Sequence, residues 1–583
     1  MYLLNRFSIE KILLIIFFFS TLSSFSQNGS DRIQLNQVGF VPNSPKIAVV
    51  TGKINSTKFY VTANDSIYFT GNLSEEKQSK NSSTSTKIAD FSSFKREGDY
   101  SVSIPEVGSS FRFRIRKDLL DEVSKSVLKA FYFMRSDMPL DGKNAGKWAR
   151  AGGHPDTAVL VHPSAASEIR PTGTIILSSK GWYDAGDYNK YIVNSGITMA
   201  TLLSAYEDFP AYFKNLQTNI PESQDAIPDI LNEVLYNLRW MLSMQDPNDG
   251  GVYHKLTNAA FDGMVAPGVT KDPRYVVQKS TAATLDFAAV MAQSSRVFAD
   301  LKKQLPQLAD SCLKAAIKAW SWAEKNPSVF YDQRKINEKF DPDISTGEYG
   351  DRSLNDEWFW SAAELYTATK DQKYLRVVNE RMKDRANLPG WNNVAMLGYY
   401  TFTRNEKNLK GASPVIRMMK DSVVRMANDY LSNQTTNAFA TVMGGNRREF
   451  VWGSNAVAAN QGILLVNAYF LTKNTEYLNG ALSNLDYLLG RNATNFCFVT
   501  GIGTKPPVHP HHRPSVSDNI AEPVPGMLVG GPNPAQQDTC VYPSKEAETS
   551  YSDTDCSYAS NEIAINWNAP MVYLTNALRV LLK

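Results

Sequence analysis

The chain has 583 residues, which is too long for one ordinary domain, and its 43% hydrophobic and 20% charged content is that of a soluble globular protein. Basic and acidic residues nearly cancel, 61 against 58, leaving a net charge of +3 with no basic block. This balance argues against nucleic acid or an anionic membrane surface as partner and favours a neutral one.

At the N-terminus Arg6 and Lys11 precede an apolar run over 12–19 and a Ser/Thr-rich stretch up to Ser26. The pattern predicts a secretory signal peptide over 1–26, cleaved near Ser26. The apolar run is short for a membrane span, and no Cys follows it to carry a lipid. An exported chain, periplasmic or secreted and free of the membrane after cleavage, is expected, acting as a monomer.

Residues 27–117 then read as a small antiparallel sandwich. Short β-rich runs at 46–50, 58–62, 66–70, 99–104 and 110–115 alternate with Pro, Gly, Asn and Ser clusters. From Leu119 the apolar period becomes helical, as in the stripe Ile230, Val234, Leu235, Leu238, Met241 and Leu242. Further helices are predicted over 119–133, 195–206, 281–298, 311–325, 356–369, 414–430, 457–470, 477–489 and 561–582, with little strand signal between them. Residues 118–583 therefore read as an all-α toroid or bundle of helix hairpins. Its long loops, 154–184, the turn around Gly250 and Gly251, and 491–557, exceed what packing needs and point to function.

Aromatic residues make up 11% of the chain, with ten Trp and 27 Tyr, which suits a large core or a cleft for sugar rings. The four Cys, Cys312, Cys497, Cys540 and Cys556, allow three pairings in an oxidising compartment. A Cys540–Cys556 bond would staple a local loop; the alternative is four buried free thiols. No CxxC is present, so a thiolate zinc site is not expected.

Three segments hold residues suited to chemistry. In Gly181-Trp182-Tyr183-Asp184-Ala185-Gly186-Asp187-Tyr188, two carboxylates three apart can share one space and deprotonate a water, if they are not helix caps. In Pro507-Val508-His509-Pro510-His511-His512-Arg513-Pro514, three of the six His crowd together beside an Arg. Such a cluster suits hydrogen bonding to sugar hydroxyls, with a metal site or a structural role as alternatives. In the segment from Tyr551 to Ala569, Glu562 is expected early in an apolar helix, where its pKa would rise as a general acid requires. The alternative there is a first-turn Glu favoured by the helix dipole.

In this order the segments Asp184-Ala185-Gly186-Asp187, Pro510-His511-His512-Arg513 and Tyr551-x-Asp553…Tyr558-x-x-x-Glu562-x-Ala564-x-x-x-Asn568-Ala569 resemble the family 9 glycoside hydrolases, cellulases built on an (α/α)6 barrel. The likeness spans about 119–583, and the segment around Leu35-Asn36-Gln37-Val38-Gly39-Phe40 resembles the immunoglobulin-like module found before the barrel in one branch. The resemblance implies an endo-acting, inverting β-1,4-glucanase with a β-glucan as partner. It implies Asp187 as general base, Asp184 as its partner in holding water, Glu562 as general acid, and Asp553 and His511 beside them. Arg513, His254, Trp452 and Tyr558 are the implied sugar contacts. No cofactor is implied for the chemistry. The loop with Asp351, Asp356 and Glu357 resembles a structural calcium site of relatives, although the distal Asp expected after Trp391 is Asn392 here. The zinc site of many relatives is not expected, because residues 152–162 contain no Cys. Xyloglucan cleavage, exo-cleavage and β-glucosidase action remain alternatives within the family. A non-catalytic glycan-binding protein and a lyase on a similar toroid stand outside it.

Overall fold

A computed structural model describes residues 29–582. The expected signal peptide lies outside the described residues, and among them no helix is long and apolar enough to cross a membrane.

The N-terminal part is a two-sheet sandwich. One sheet has the order β1 (Ile33–Gln34), β3 (Ile47–Thr51), β7 (Ser85–Asp90), β6 (Lys77–Gln78). The other has the order β2 (Gly39–Phe40), β10 (Phe113–Ile115), β8 (Gly98–Ile104), β4 (Lys58–Ala63), β5 (Ser66–Asn72), with β9 (Gly108–Ser109) beside β8. Period-two patterning makes the core: Tyr100, Val102 and Ile104 of β8 point inward and the residues between them do not. Phe40, Phe91 and Phe113 close it with ring centroids 5.2 to 5.5 Å apart.

Twelve helices of ten residues or more follow: α1 (Asp121–Phe133), α2 (Ile192–Asp208), α3 (Asp229–Ser243), α4 (Thr281–Val297), α5 (Leu308–Lys325), α6 (Asn355–Thr369), α7 (Gln372–Arg381), α8 (Ala395–Arg404), α9 (Ser413–Thr436), α10 (Ser454–Thr472), α11 (Glu476–Leu488) and α12 (Ile565–Leu581). Even-numbered helices form an inner ring and odd-numbered ones an outer ring. The patterning explains the division. In α4 nearly every residue is buried, whereas α7 buries only Tyr374, Leu375 and Val378 on one stripe. Consecutive inner helices pack on one another from α2 to α8 and from α10 to α12, and α12 closes back onto α2. The expected sandwich followed by an (α/α)6 barrel is what the chain forms.

Three details differ from the expectation. Helices α7 and α8 were not predicted. A third sheet, β12 (Ile175–Ile176), β11 (Val159–Val161), β15 (Arg274–Val276), β14 (Lys255–Asn258) and β13 (Lys190–Tyr191), occupies loops that carried little strand signal. And α12 begins at Ile565, so Glu562 is not in its first turn: it stands in extended backbone, φ −71° and ψ 158°, after a single turn over Tyr558–Asn561.

Candidate active site

Three extended segments meet at one end of the barrel. Ala185 pairs with Ala564, and Ile565 N–H donates to Asp184 O at 2.9 Å. His511 runs parallel to Glu562, and Arg513 N–H donates to Gly186 O at 3.1 Å. A Cβ on Gly186 would stand 2.1 Å from His511 O, so only glycine lets these two strands touch. This junction, rather than a helix face, gathers Asp184, Asp187, His511, Arg513 and Glu562 from opposite ends of the barrel sequence.

Asp184 is 1% exposed. Its Oδ1 accepts from Asn194 Nδ2 at 2.7 Å and its Oδ2 from Tyr349 Oη–H at 2.8 Å. Burial, with Asp187 alongside, pushes its carboxyl up to about 8. Asp187 takes its hydrogen bonds through Oδ2, from Asn189 Nδ2 at 2.6 Å and Tyr191 Oη–H at 3.4 Å. Glu562 is part-exposed; desolvation first, then Asp187 and Asp184, raise its carboxyl well above the usual range, against the opposing pull of Arg513.

His511 Nδ1 lies 2.5 Å from Asp555 O, which makes Nδ1 the protonated nitrogen and leaves Nε2 as an acceptor. Arg513 donates through Nη1 to Gly186 O and through Nε to Asp262 O, both at 2.9 Å. Asp553 accepts from Val508 N–H, His509 N–H and Asn561 Nδ2 at 2.9 to 3.1 Å, so it shapes the His-bearing strand. A disulfide joins Cys540 to Cys556 across the loop that carries Asp553, while Cys312 and Cys497 are free and buried. Trp452, 42% exposed, leans on Tyr558 at 5.5 Å, and Tyr558 stands edge-on to His511 at 5.8 Å, forming an aromatic wall beside Glu562.

His254 is placed differently from the expectation. It is 1% exposed, stacked on Tyr331 at 4.1 Å, with Nδ1 on Ser280 Oγ and Nε2 on Glu348 O, so neither ring nitrogen is free for a sugar. Tyr183 and Tyr188 are likewise core: Tyr183 Oη bonds His154 Nδ1, and Tyr188 Oη–H donates to Val265 O. Among the described residues no three His, Cys, Asp or Glu side chains converge as a ready ligand set, and this includes the His509–His511–His512 cluster and the trio Asp351, Asp356 and Glu357.

Sequence reasoning missed Tyr349, Asn189 and Asn194. Tyr349 sits at φ 46°, a left-handed conformation costly for an aromatic residue, and its ring packs on Tyr191 and Trp391. Its one sequence signal is its place between Gly347 and Gly350. It also missed Asp286 of α4, whose two carboxylate oxygens are buried without partners, as are both oxygens of Glu357 and one of Asp351.

The sequence model for glycosyl hydrolase family 9 matches residues 121–575, and that for the cellulase N-terminal ig-like domain matches 28–109. The chain belongs to glycosyl hydrolase family 9. It is 46% identical over 555 residues to a xyloglucan-specific endo-beta-1,4-glucanase of Bacteroides ovatus, covering 95% of this chain and 94% of that protein. It is 34% identical over 551 residues to endoglucanase D of Acetivibrio thermocellus, covering 93% and 82%. The solved structure of a Bacteroides ovatus family 9 protein superposes with a TM-score of 0.90 at 45% identity, over 94% of this chain and 99% of that one. A metagenome-derived family 9 endoglucanase gives 0.86 at 30%, with the same coverage. As a family 9 member the chain is an inverting glycoside hydrolase that needs no cofactor for its chemistry.

Proposed function

We propose that this family 9 hydrolase is an exported endo-β-1,4-glucanase in which Asp187 is the general base and Glu562 the general acid. The observation that carries the reading is the environment of the acids at the strand junction. Desolvation and the Asp184–Asp187 pair raise the Glu562 carboxyl, the direction a general acid needs, while Asp187 keeps Oδ1 clear of the protein hydrogen bonds that load Oδ2. Glu562 delivers its proton to the leaving glycosidic oxygen. Asp187 takes one from a water that Asp184 helps to hold, and the water attacks from the opposite face. Such inversion needs carboxyls about 6.5–9.5 Å apart. Trp452, Tyr558, His511 and Arg513 line the path of the glucan. Export is supported by the charge-then-apolar N-terminus and by the Cys540–Cys556 bond.

Asp187→Asn and Glu562→Gln are each expected to lower turnover on the order of 10³-fold with glucan binding nearly intact. Near wild-type turnover in either variant removes that role. NMR of the first-formed anomer should show inversion, and retention contradicts the water-between-carboxylates geometry. The likeness to the xyloglucan-specific relative supports xyloglucan as the substrate. A panel of xyloglucan, carboxymethyl-cellulose, mixed-linkage glucan and cello-oligosaccharides, read by viscosity and product length, separates this from cellulose cleavage and from exo-action.

A structural calcium at Asp351, Asp356 and Glu357, with Asp286 as a fourth acid, is a second part of the reading; these side chains are not already gathered as a ligand set and would close on the ion when it binds. Its support is the unpartnered buried oxygens of Asp286, Glu357 and Asp351, acids whose mutual repulsion a divalent cation with oxygen preference relieves. Saturating calcium at about a hundred times its Kd stabilises by about 2.7 kcal/mol. A higher Tm in calcium than in chelator is therefore expected, and equal melting curves rule the site out.

A further inference from the structure

Lys255 opens β14 and pairs with Tyr191 of β13. It is completely buried, yet none of its hydrogen-bond partners is a carboxylate. Nζ donates to Gly347 O at 2.6 Å, Gln333 Oε1 at 2.7 Å, Thr346 Oγ1 at 3.0 Å and Thr346 O at 3.4 Å. Lys190, the buried lysine of β13, pairs instead with Asp156 at 2.7 Å. Desolvating an ammonium without an anion beside it is unfavourable. The charge is answered at longer range by Asp187 and Glu348, and by the faces of Tyr191 and Tyr331 at 5.6 and 5.4 Å.

The four contacts have a common end. Three fasten the segment that leads from Thr346 and Gly347 into Tyr349, the fourth holds Gln333, whose Nε2 itself donates to Thr346 O at 2.8 Å, and Tyr349 holds Asp184. Thr346 Oγ1 also bonds Thr257 Oγ1 at 2.6 Å, and Thr257 donates to Asn189 Oδ1, whose amide nitrogen donates to Asp187. One buried cation is thus tied to both carboxylates of the Asp184–Asp187 pair.

We propose that Lys255 is a positioning residue for the hydrolysis: it pins the segment carrying Tyr349 over Asp184 and sets a positive charge facing Asp187. The inference rests on Asp187 being the base. Asp187 is also faced by Asp184, Glu562, His511 and Tyr191, so the lysine acts against two neighbouring acids. Burial lowers the ammonium to about 7, which still leaves it charged across the acid limb of a carboxylate-driven pH profile.

The test is the pH dependence of kcat/KM of the full-length enzyme on a soluble β-glucan, for Lys255→Met, Lys255→Arg and Gln333→Glu. Without the cation, loss of the base's proton becomes harder. The acid limb is then expected to move up by about one pH unit in Lys255→Met. Gln333→Glu places a carboxylate against Nζ, cancels its field and is expected to shift the limb the same way. Lys255→Arg keeps the charge and should keep the limb. If Lys255→Met does not fold, Gln333→Glu decides. Acid limbs coincident with wild type in the neutralising variants overturn the inference. If Asp187→Asn retains turnover, the base assignment itself fails, an outcome separate from anything the lysine variants report.

Discussion

Asp184 and Glu562 illustrate how one side-chain chemistry is bent by position. Both are carboxyls that an exposed site would leave ionised at neutral pH. At the strand junction desolvation, and then the neighbouring Asp187, raise both. A folded-state pKa raised above the unfolded value means that the contribution to stability is whole below the unfolded pKa and is lost as pH climbs through the folded one. For Asp184 the window runs from near 4 to about 8. Asp184→Asn removes the titration and keeps both contacts, since Asn194 can still donate to the amide oxygen and Tyr349 can accept from the amide nitrogen. The Tm of this variant relative to wild type is expected to be near zero at about pH 4 and to grow steadily to about pH 8. A difference that does not change with pH would show that burial at this position exacts no ionisation cost. These acids were legible because the segments that carry them, Asp184-Ala185-Gly186-Asp187 and Tyr558 to Ala569, resemble family 9 in kind and order; residue chemistry alone left a helix cap open for Asp184 and a first-turn helix position for Glu562. Tyr349, Lys255 and Asp286 were not. Each acquires its role from residues far away in the chain, and a lone Tyr, Lys or Asp has no local mark of such a partner.

At the level of elements, legibility followed the hydrophobic period. Helices α4 and α6, rich in Ala, Leu and aromatic residues, lay within three residues of expectation at both ends. The missed α8, Ala395–Arg404, contains Gly398, two Tyr, Phe402 and two Thr, a composition that local propensity assigns to strand. Burial of Met396, Leu397, Tyr400 and Phe402 in the inner ring overrides that preference. The missed α7 is short and charged, and only three of its residues reach the core. The third sheet escaped because its strands are two to four residues long and two of its pairings, β11 with β15 and β13 with β14, join strands far apart in the chain. Glu562 was placed one turn too deep for a related reason. The apolar run Ile563-Ala564-Ile565 reads as helix start, but Ala564 is claimed by Ala185 in the strand junction, and the helix waits until that pairing ends.

The sandwich and the barrel share a polar, buried seam, and it bears on how the whole molecule melts. Asn36 Nδ2 donates to Asp486 Oδ1 at 2.8 Å, and Asp486 Oδ2 takes Arg491 Nη1 at 2.9 Å, all fully buried. Gln37 donates to Asn495 O and accepts from the N–H groups of Thr504 and Lys505. Gly490, at φ 130°, lets Leu35 and Gln37 come so near that a Cβ would lie 2.7 Å from Leu35 O. Val49 of the sandwich packs with Ala438 and Phe439 of the barrel. Farther along, Asn81 accepts from Ala547 N–H and Ser83 N–H donates to Glu546, so the sandwich also supports the disulfide-closed loop that carries Asp553. Groups buried this way are satisfied only while both parts are folded, so their unfolding is coupled. Asn36→Ala leaves one oxygen of a buried carboxylate without its donor, a loss of about 1–3 kcal/mol. In calorimetry the wild type is expected to show one transition, and Asn36→Ala to shift that whole transition down. Two separated transitions, with only the first moved by the substitution, would mean that the sandwich melts as an independent body and that the seam does not carry its stability into the active-site wall.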